Sequence, residues 1–228
     1  MSMHLRQFAT AALVVFAATL TVPDASADDK AAGDSPSTGS FKPNPMRPFE
    51  PEGKLSDLSP ETRKLFMDLK KAAEASADVF AALSVEQLNF RPANGTHTPR
   101  WNAEHMAAVH ESFFSRLYHS IDDRIKVIND FPKQMPDDYK AAHPTWDGEK
   151  EAGRIRRAEA FARRYAYLLK DTDMTADLEK GILPGFFKTP ESLLKIVAGH
   201  YGEHTANVKK KFDAEGWPKS DATAKSSN

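Results

Sequence analysis

The chain has 228 residues, with 31 Lys and Arg against 32 Asp and Glu and a formal charge of −1 at pH 7. No basic block stands out, so nucleic acid is not an expected partner. Cysteine is absent, which excludes disulfides, a thiol nucleophile, covalent haem attachment, iron–sulfur clusters and a thiolate zinc site. Any metal must therefore be held by His, Asp, Glu or water.

The first 27 residues read as an export signal: Arg6 gives a basic start, residues 11–20 an apolar run, and Ala25-Ser26-Ala27 a cleavage site. That run is too short to span a bilayer, and no later segment reaches about 18 apolar residues. The mature chain is then expected to begin at Asp28, periplasmic or secreted, with no stable membrane insertion. Residues 28–55 are rich in Pro, Ser and charge and read as a flexible linker. Residues 56–213 form one domain, and residues 214–228 a polar, disordered tail.

Four long helical patterns follow and no convincing strand. The first starts with Ser59 as N-cap and Pro60 at the first helical position. Its apolar stripe runs Leu65, Phe66, Leu69, Ala73, Ser76, Val79 or Phe80, and Leu83. Residues 84–95 break it, with Arg91-Pro92 and Asn94-Gly95 as turn signals.

The second helix runs from near Trp101 to about Ile121, with a wide apolar face of Met106, Val109, His110, Phe113, Phe114, Leu117 and Ile121. Residues 122–146, with Pro132, Pro136 and Pro144, cannot be a continuous helix. A connection of that length in a compact domain is functional or packed over a core edge. The third helix covers about 148–170 and buries Ile155, Ala158, Phe161, Ala162, Tyr165, Leu168 and Leu169, its arginines lying mostly off that stripe. The fourth has Thr189 as N-cap and Pro190 at its first position, and ends near Phe212. Helix, helix, long crossover, helix, helix describes an all-α four-helix bundle with one long connection between helices two and three.

Eight histidines are present. His97 and His143 fall in loops and read as surface residues, and His119 near a helix end suits the dipole. His200 and His204 lie four apart on the apolar face of the last helix, in step with Leu193, Val197 and Val208. Neutral imidazoles there need partners, and a metal is one that two rings can share. The second helix offers a third ring, His105 or His110. At about 100° per residue, His110 lies closest to the centre of the apolar face. His105 lies nearer the end of the bundle, where a cup open to solvent would sit. Both remain candidates. Three neutral nitrogens and an open position make a catalytic metal site. Glu104, Glu111 and Glu203 each adjoin a candidate histidine and so point about 100° away; Glu203 or Glu111 is the candidate general base or orienting group.

The order of a capped first helix, a turn with Phe90-Arg91-Pro92, Trp101 opening a helix with His105 and His110, and finally His200-Tyr201-Gly202-Glu203-His204 resembles the DinB-like superfamily of metal-binding four-helix bundles. The likeness covers residues 58–212. It implies a divalent metal, zinc or nickel, held by one histidine of helix two and the pair His200 and His204. The family includes thiol-dependent S-transferases and an isomerase that uses a low-molecular-weight thiol. An exported chain would find little reduced thiol, so hydrolysis fits it better than thiol transfer. The expectation is a divalent-metal-dependent hydrolase or transferase, or alternatively a non-catalytic metal- or ligand-binding bundle. Its partners would be a small-molecule substrate or ligand that the sequence does not name and, as an option, a second copy of the chain.

Overall fold

The computed structural model describes residues 55–133, 137–183, 185 and 187–219. The expected export signal, nearly all of the linker and the last nine residues lie outside that set. A 3-10 turn at Leu55–Asp57 leads into α1 (Pro60–Ala81), followed by α2 (Val85–Asn89), α3 (Pro99–Ile121), α4 (Gly148–Arg164), a second 3-10 turn (Ala166–Leu169) and α5 (Pro190–Lys209). Among the described residues there is no strand, only an isolated bridge between Lys180 and Leu183. No helix among them is long and apolar enough to cross a membrane.

The start signals act as their chemistry predicts. Ser59 Oγ accepts from Thr62 N at 3.1 Å with Pro60 behind it, and Thr189 forms a reciprocal capping box with Ser192. Two boundaries differ from the periodicity. The break after α1 contains a short helix, because Ser84 and Gln87 form a capping box of their own. The third pattern, expected to run to Lys170, leaves α-helical geometry at Tyr165 and tightens into a 3-10 turn, which still buries Leu169. Its apolar spacing therefore continued past the α-helix.

Helices α1 and α3 each pack against both α4 and α5, so α1 lies diagonally across the core from α3, and α4 from α5. Ser76 of α1 meets Met106 of α3 and Thr205 of α5, while Phe66 meets Phe114. Arg100 pairs with Glu151 at the starts of α3 and α4, and Tyr118 Oη donates to Ala162 O near their ends. Those two helices are thus parallel. A helix of 23 residues is roughly 34 Å long at about 1.5 Å per residue, so a parallel neighbour requires the long crossover the sequence implied. The core between the four helices includes Phe66, Leu69, Phe80, Met106, Phe114, Leu117, Ile155, Leu193 and Val197.

The crossover is draped over the outer face of α3. Ile128 N donates to Ser115 Oγ at 2.9 Å, Trp101 Nε1 to Lys133 O at 2.8 Å, and Tyr139 Oη and Ala142 N to the Glu104 carboxylate at 2.9 and 3.1 Å. This is why α3 is buried on nearly every side, polar residues included. At its first turn, Arg100 is wholly buried. Its guanidinium donates to Asn89 Oδ1, His143 O, Glu151 Oε1 and Trp146 O at 2.6–2.9 Å. A buried charge so fully satisfied ties α2, the crossover and α4 to one end of the bundle. Gly148 brings α4 against α1: a Cβ there would collide with the backbone oxygens of Phe80, Leu83 and Ala81. At the far end of the chain, Trp217 rests on Phe90 and Phe212, and Gln87 Nε2 donates to Pro218 O. The expected tail is therefore packed at least through Pro218.

Candidate metal centre

The end fixed by Arg100 also carries the histidines. Thr98 caps α3, its hydroxyl accepting from Trp101 N at 3.1 Å, with Pro99 at the first position. This sets the helical phase so that Asn102 and His105 face α5. From the opposite direction, the last turns of α5 present His200 and His204, one turn apart on one face. The ring centroids of His105 lie 5.1 Å from His200 and 4.8 Å from His204, and those of the pair lie 4.3 Å apart. One nitrogen from each of the three rings falls within 4.8 Å of the others.

Of the two helix-two candidates, the structure brings His105, not His110, to the pair. His110 is five residues further along α3, roughly 7.5 Å deeper at the helical rise. There it is wholly buried, and its Nδ1 meets Tyr201 Oη at 2.5 Å. Angular position favoured His110, but the shared axial level of His105, His200 and His204 decides the grouping.

The orientation of His204 is set from behind. Its Nδ1 lies 2.7 Å from Asn102 Oδ1, and Asn102 Nδ2 donates to Thr98 O at 2.8 Å. A carbonyl oxygen can only accept, so the network places the amide oxygen toward the ring, puts the proton on Nδ1 and leaves the Nε2 lone pair available. His105 Nδ1 is buried with no hydrogen-bond partner. A buried polar atom left this way is uncommon, and a ligand at the site is one partner that would satisfy it.

The electrostatics agree. Burial pushes His200 down to about 4. Burial, then His200 and His97, pushes His105 down to about 3. For His204, burial followed by His200, His105, His97 and Lys211 gives about 2. All three rings are thus neutral lone-pair donors at pH 7, the form a metal requires. Tetrahedral zinc with Zn–N distances of about 2.0–2.1 Å places its donors roughly 3.3 Å apart. The three rings need to close by about 1.5 Å at most, which small side-chain rotations supply. The donor set fits a divalent ion.

Trp101 walls the cluster on one side. Its indole stacks on His105 at 4.4 Å and 10°, His97 stacks on the other face at 3.6 Å and 9°, and the His204 ring lies 5.8 Å away. His97, read as a plain loop residue, is therefore half-buried beside the site, whereas His143 is exposed and stacks on Trp146.

The candidate acids stand elsewhere. Glu203 is exposed on α5. Glu111 is half-buried; burial raises its carboxyl, opposed by Arg154 and Arg157 of α4 and reinforced by Asp130. Glu104 is engaged by the crossover, as described above. Among the described residues no carboxylate joins the three-histidine group. Sequence reasoning did not identify Asn102 or Tyr201 as contributors to the site. Asn102 left a faint signal, an amide three residues before His105 and so about 60° from it around the helix.

No curated protein and no solved structure matches the chain. A family model, that of the DinB superfamily, matches residues 68–208, a span that includes α3 and most of α5 with all three clustered histidines. By that match, which the bundle and its histidine cluster accompany, the chain belongs to the DinB superfamily.

Proposed function

We propose that the protein is a divalent-metal-dependent enzyme in which His105, His200 and His204 hold zinc or nickel and a fourth coordination position stays open to substrate. The observation that carries this reading is the convergence of three neutral, half-buried imidazoles from two helices, one of them held from behind by Asn102. When bound, the ion supplies Lewis acidity at its open position. The protein's own part is to fix three donors, to hold the Nδ1 proton of His204 on Asn102, and to shield one side with the Trp101 indole. Hydrolysis is the favoured reaction class over thiol transfer, because the first 27 residues read as an export signal and thiols are scarce outside the cytoplasm. Residues 1–27 would then be absent from the mature protein, which N-terminal sequencing of the envelope fraction checks.

Metal analysis of purified tag-free protein tests the assignment. About one equivalent of zinc or nickel should survive dialysis in the wild type and be lost in His200→Ala and in His105→Ala, but not in His110→Gln. Less than about 0.2 equivalents in the wild type would remove the metal from the account.

A second reading has one observation in its favour: among the described residues no carboxylate accompanies the three histidines, so the general base expected from Glu203 or Glu111 has no counterpart beside them. A carrier or sensor would need none. Cobalt-substituted protein separates the two, because azide perturbs the visible spectrum only where a coordination position is open.

A further inference from the structure

His110 and Tyr201 form an internal bond that the metal assignment leaves unexplained. Both side chains are essentially without solvent exposure, His110 at 0% and Tyr201 at 1%. Their 2.5 Å contact links α3 to α5 one level below the histidine cluster. Burial, with the charges of Glu159 and Glu111, pushes the Tyr201 phenol up, and burial together with His200 pushes His110 down to about 3. Each is therefore neutral, and a neutral phenol donates to Nδ1. The proton of His110 then sits on Nε2, which is buried with no partner. A fold selected for stability alone would fill this position with two apolar rings, since such replacements are neutral or favourable when both partners go together.

The bond has a second property. Tyr201 adjoins His200 in sequence and lies three residues before His204. On the same two helices, Asn102 holds His204 at the outer level. The two α3–α5 hydrogen bonds thus bracket the cluster, one toward solvent and one toward the core, and together they fix both the rotation and the axial level of α5 against α3.

We infer that the His110–Tyr201 pair is a positioning device for the metal centre, kept at a cost in stability in order to hold His200 and His204 at the level of His105. The inference rests on the proposed three-histidine site and deepens it. Tyr201 is not a ligand in this account and touches no substrate.

The test uses the full chain carrying His110→Leu and Tyr201→Phe together. Unfolding of the metal-free protein is followed with denaturant, and cobalt(II) binding by competition and visible absorption. The expected result is an unfolding midpoint equal to or above that of the wild type, with cobalt affinity at least tenfold weaker and an altered ligand-field spectrum. Tyr201→Phe alone, which leaves His110 with neither nitrogen bonded, should weaken cobalt binding as well. A double variant that binds cobalt with wild-type affinity and spectrum overturns the inference. So does one whose stability and affinity fall in proportion, because the pair would then be structural only. A wild type that takes up no cobalt overturns the metal assignment itself, which is a different failure.

Discussion

Replacing Asn102 separates what orients the metal centre from what supports the fold. Its side chain makes two bonds: the oxygen receives the His204 Nδ1 proton at 2.7 Å, and the nitrogen donates to Thr98 O at 2.8 Å. In Asn102→Ala both vanish, and His204 is free to rotate or to adopt the tautomer that presents a proton to the ion. Loss of such an outer partner weakens metal binding by about 10–100-fold, or roughly 1.4–2.7 kcal/mol. The metal-free fold loses about 1 kcal/mol for each neutral hydrogen bond left unmade. Asn102→Asp distinguishes the two effects. The carboxylate still accepts from Nδ1 and raises ring basicity, so zinc affinity at pH 7.5 should equal or exceed that of the wild type. Its oxygens cannot donate to Thr98 O, so the metal-free protein should be less stable. Affinity is read by competition with a chromophoric chelator, stability by urea unfolding in excess EDTA. Wild-type affinity in Asn102→Ala, or affinities that follow stability through both variants, would refute the argument that this amide acts through His204.

Metal-free protein should lose stability on acidification. The four rings His105, His110, His200 and His204 are held below the usual 6.5, at about 3, 3, 4 and 2; the unfolded chain binds protons the folded one refuses, so stability is full above pH 6.5 and falls from there through the folded values, about pH 4 for His200 and lower for the other three. Each ring adds a slope of up to about 1.4 kcal/mol per pH unit in that window, and urea unfolding in EDTA that stays flat from pH 7 to 5 would contradict neutral buried rings. Cobalt or nickel should quench tryptophan fluorescence chiefly through Trp101, which stacks on His105, and Trp101→Phe should abolish most of the quench; a quench unchanged by that substitution would place the ion elsewhere. Gly148→Ala should destabilise by about 2–3 kcal/mol, because its Cβ would strike backbone oxygens of α1 that cannot yield, and a midpoint within experimental error of the wild type would show that this helix contact is looser than drawn.

The parts of this molecule that were legible in its sequence share a physical cause: they are local. Ser59-Pro60 and Thr189-Pro190 announce helices because the cap and the first turn lie within four residues of each other. The pair His200 and His204 is visible because an i,i+4 spacing fixes one face regardless of the rest of the fold. The choice between His105 and His110 was not local. Angular position around α3 pointed to His110, and what separates the two rings is axial, five residues or roughly 7.5 Å, nearly one and a half helical turns. That axial offset is set by capping at Thr98, by Arg100 holding the crossover and α4 to the first turn, and by the Asn102–His204 and Tyr201–His110 bonds. The Thr98 cap is local, but none of the other contacts joins residues close enough in sequence to leave a periodic trace. The burial of α3 on its polar side escaped for the same reason, since it depends on Ile128, Lys133 and Ala142 returning over Ser115, Trp101 and Glu104. Periodicity assigns each side chain to a face, and a metal site needs a level as well. In this bundle the level is written in buried polar contacts between distant segments, so a histidine motif on one helix locates the site only once its supporting amide, phenol and guanidinium are known.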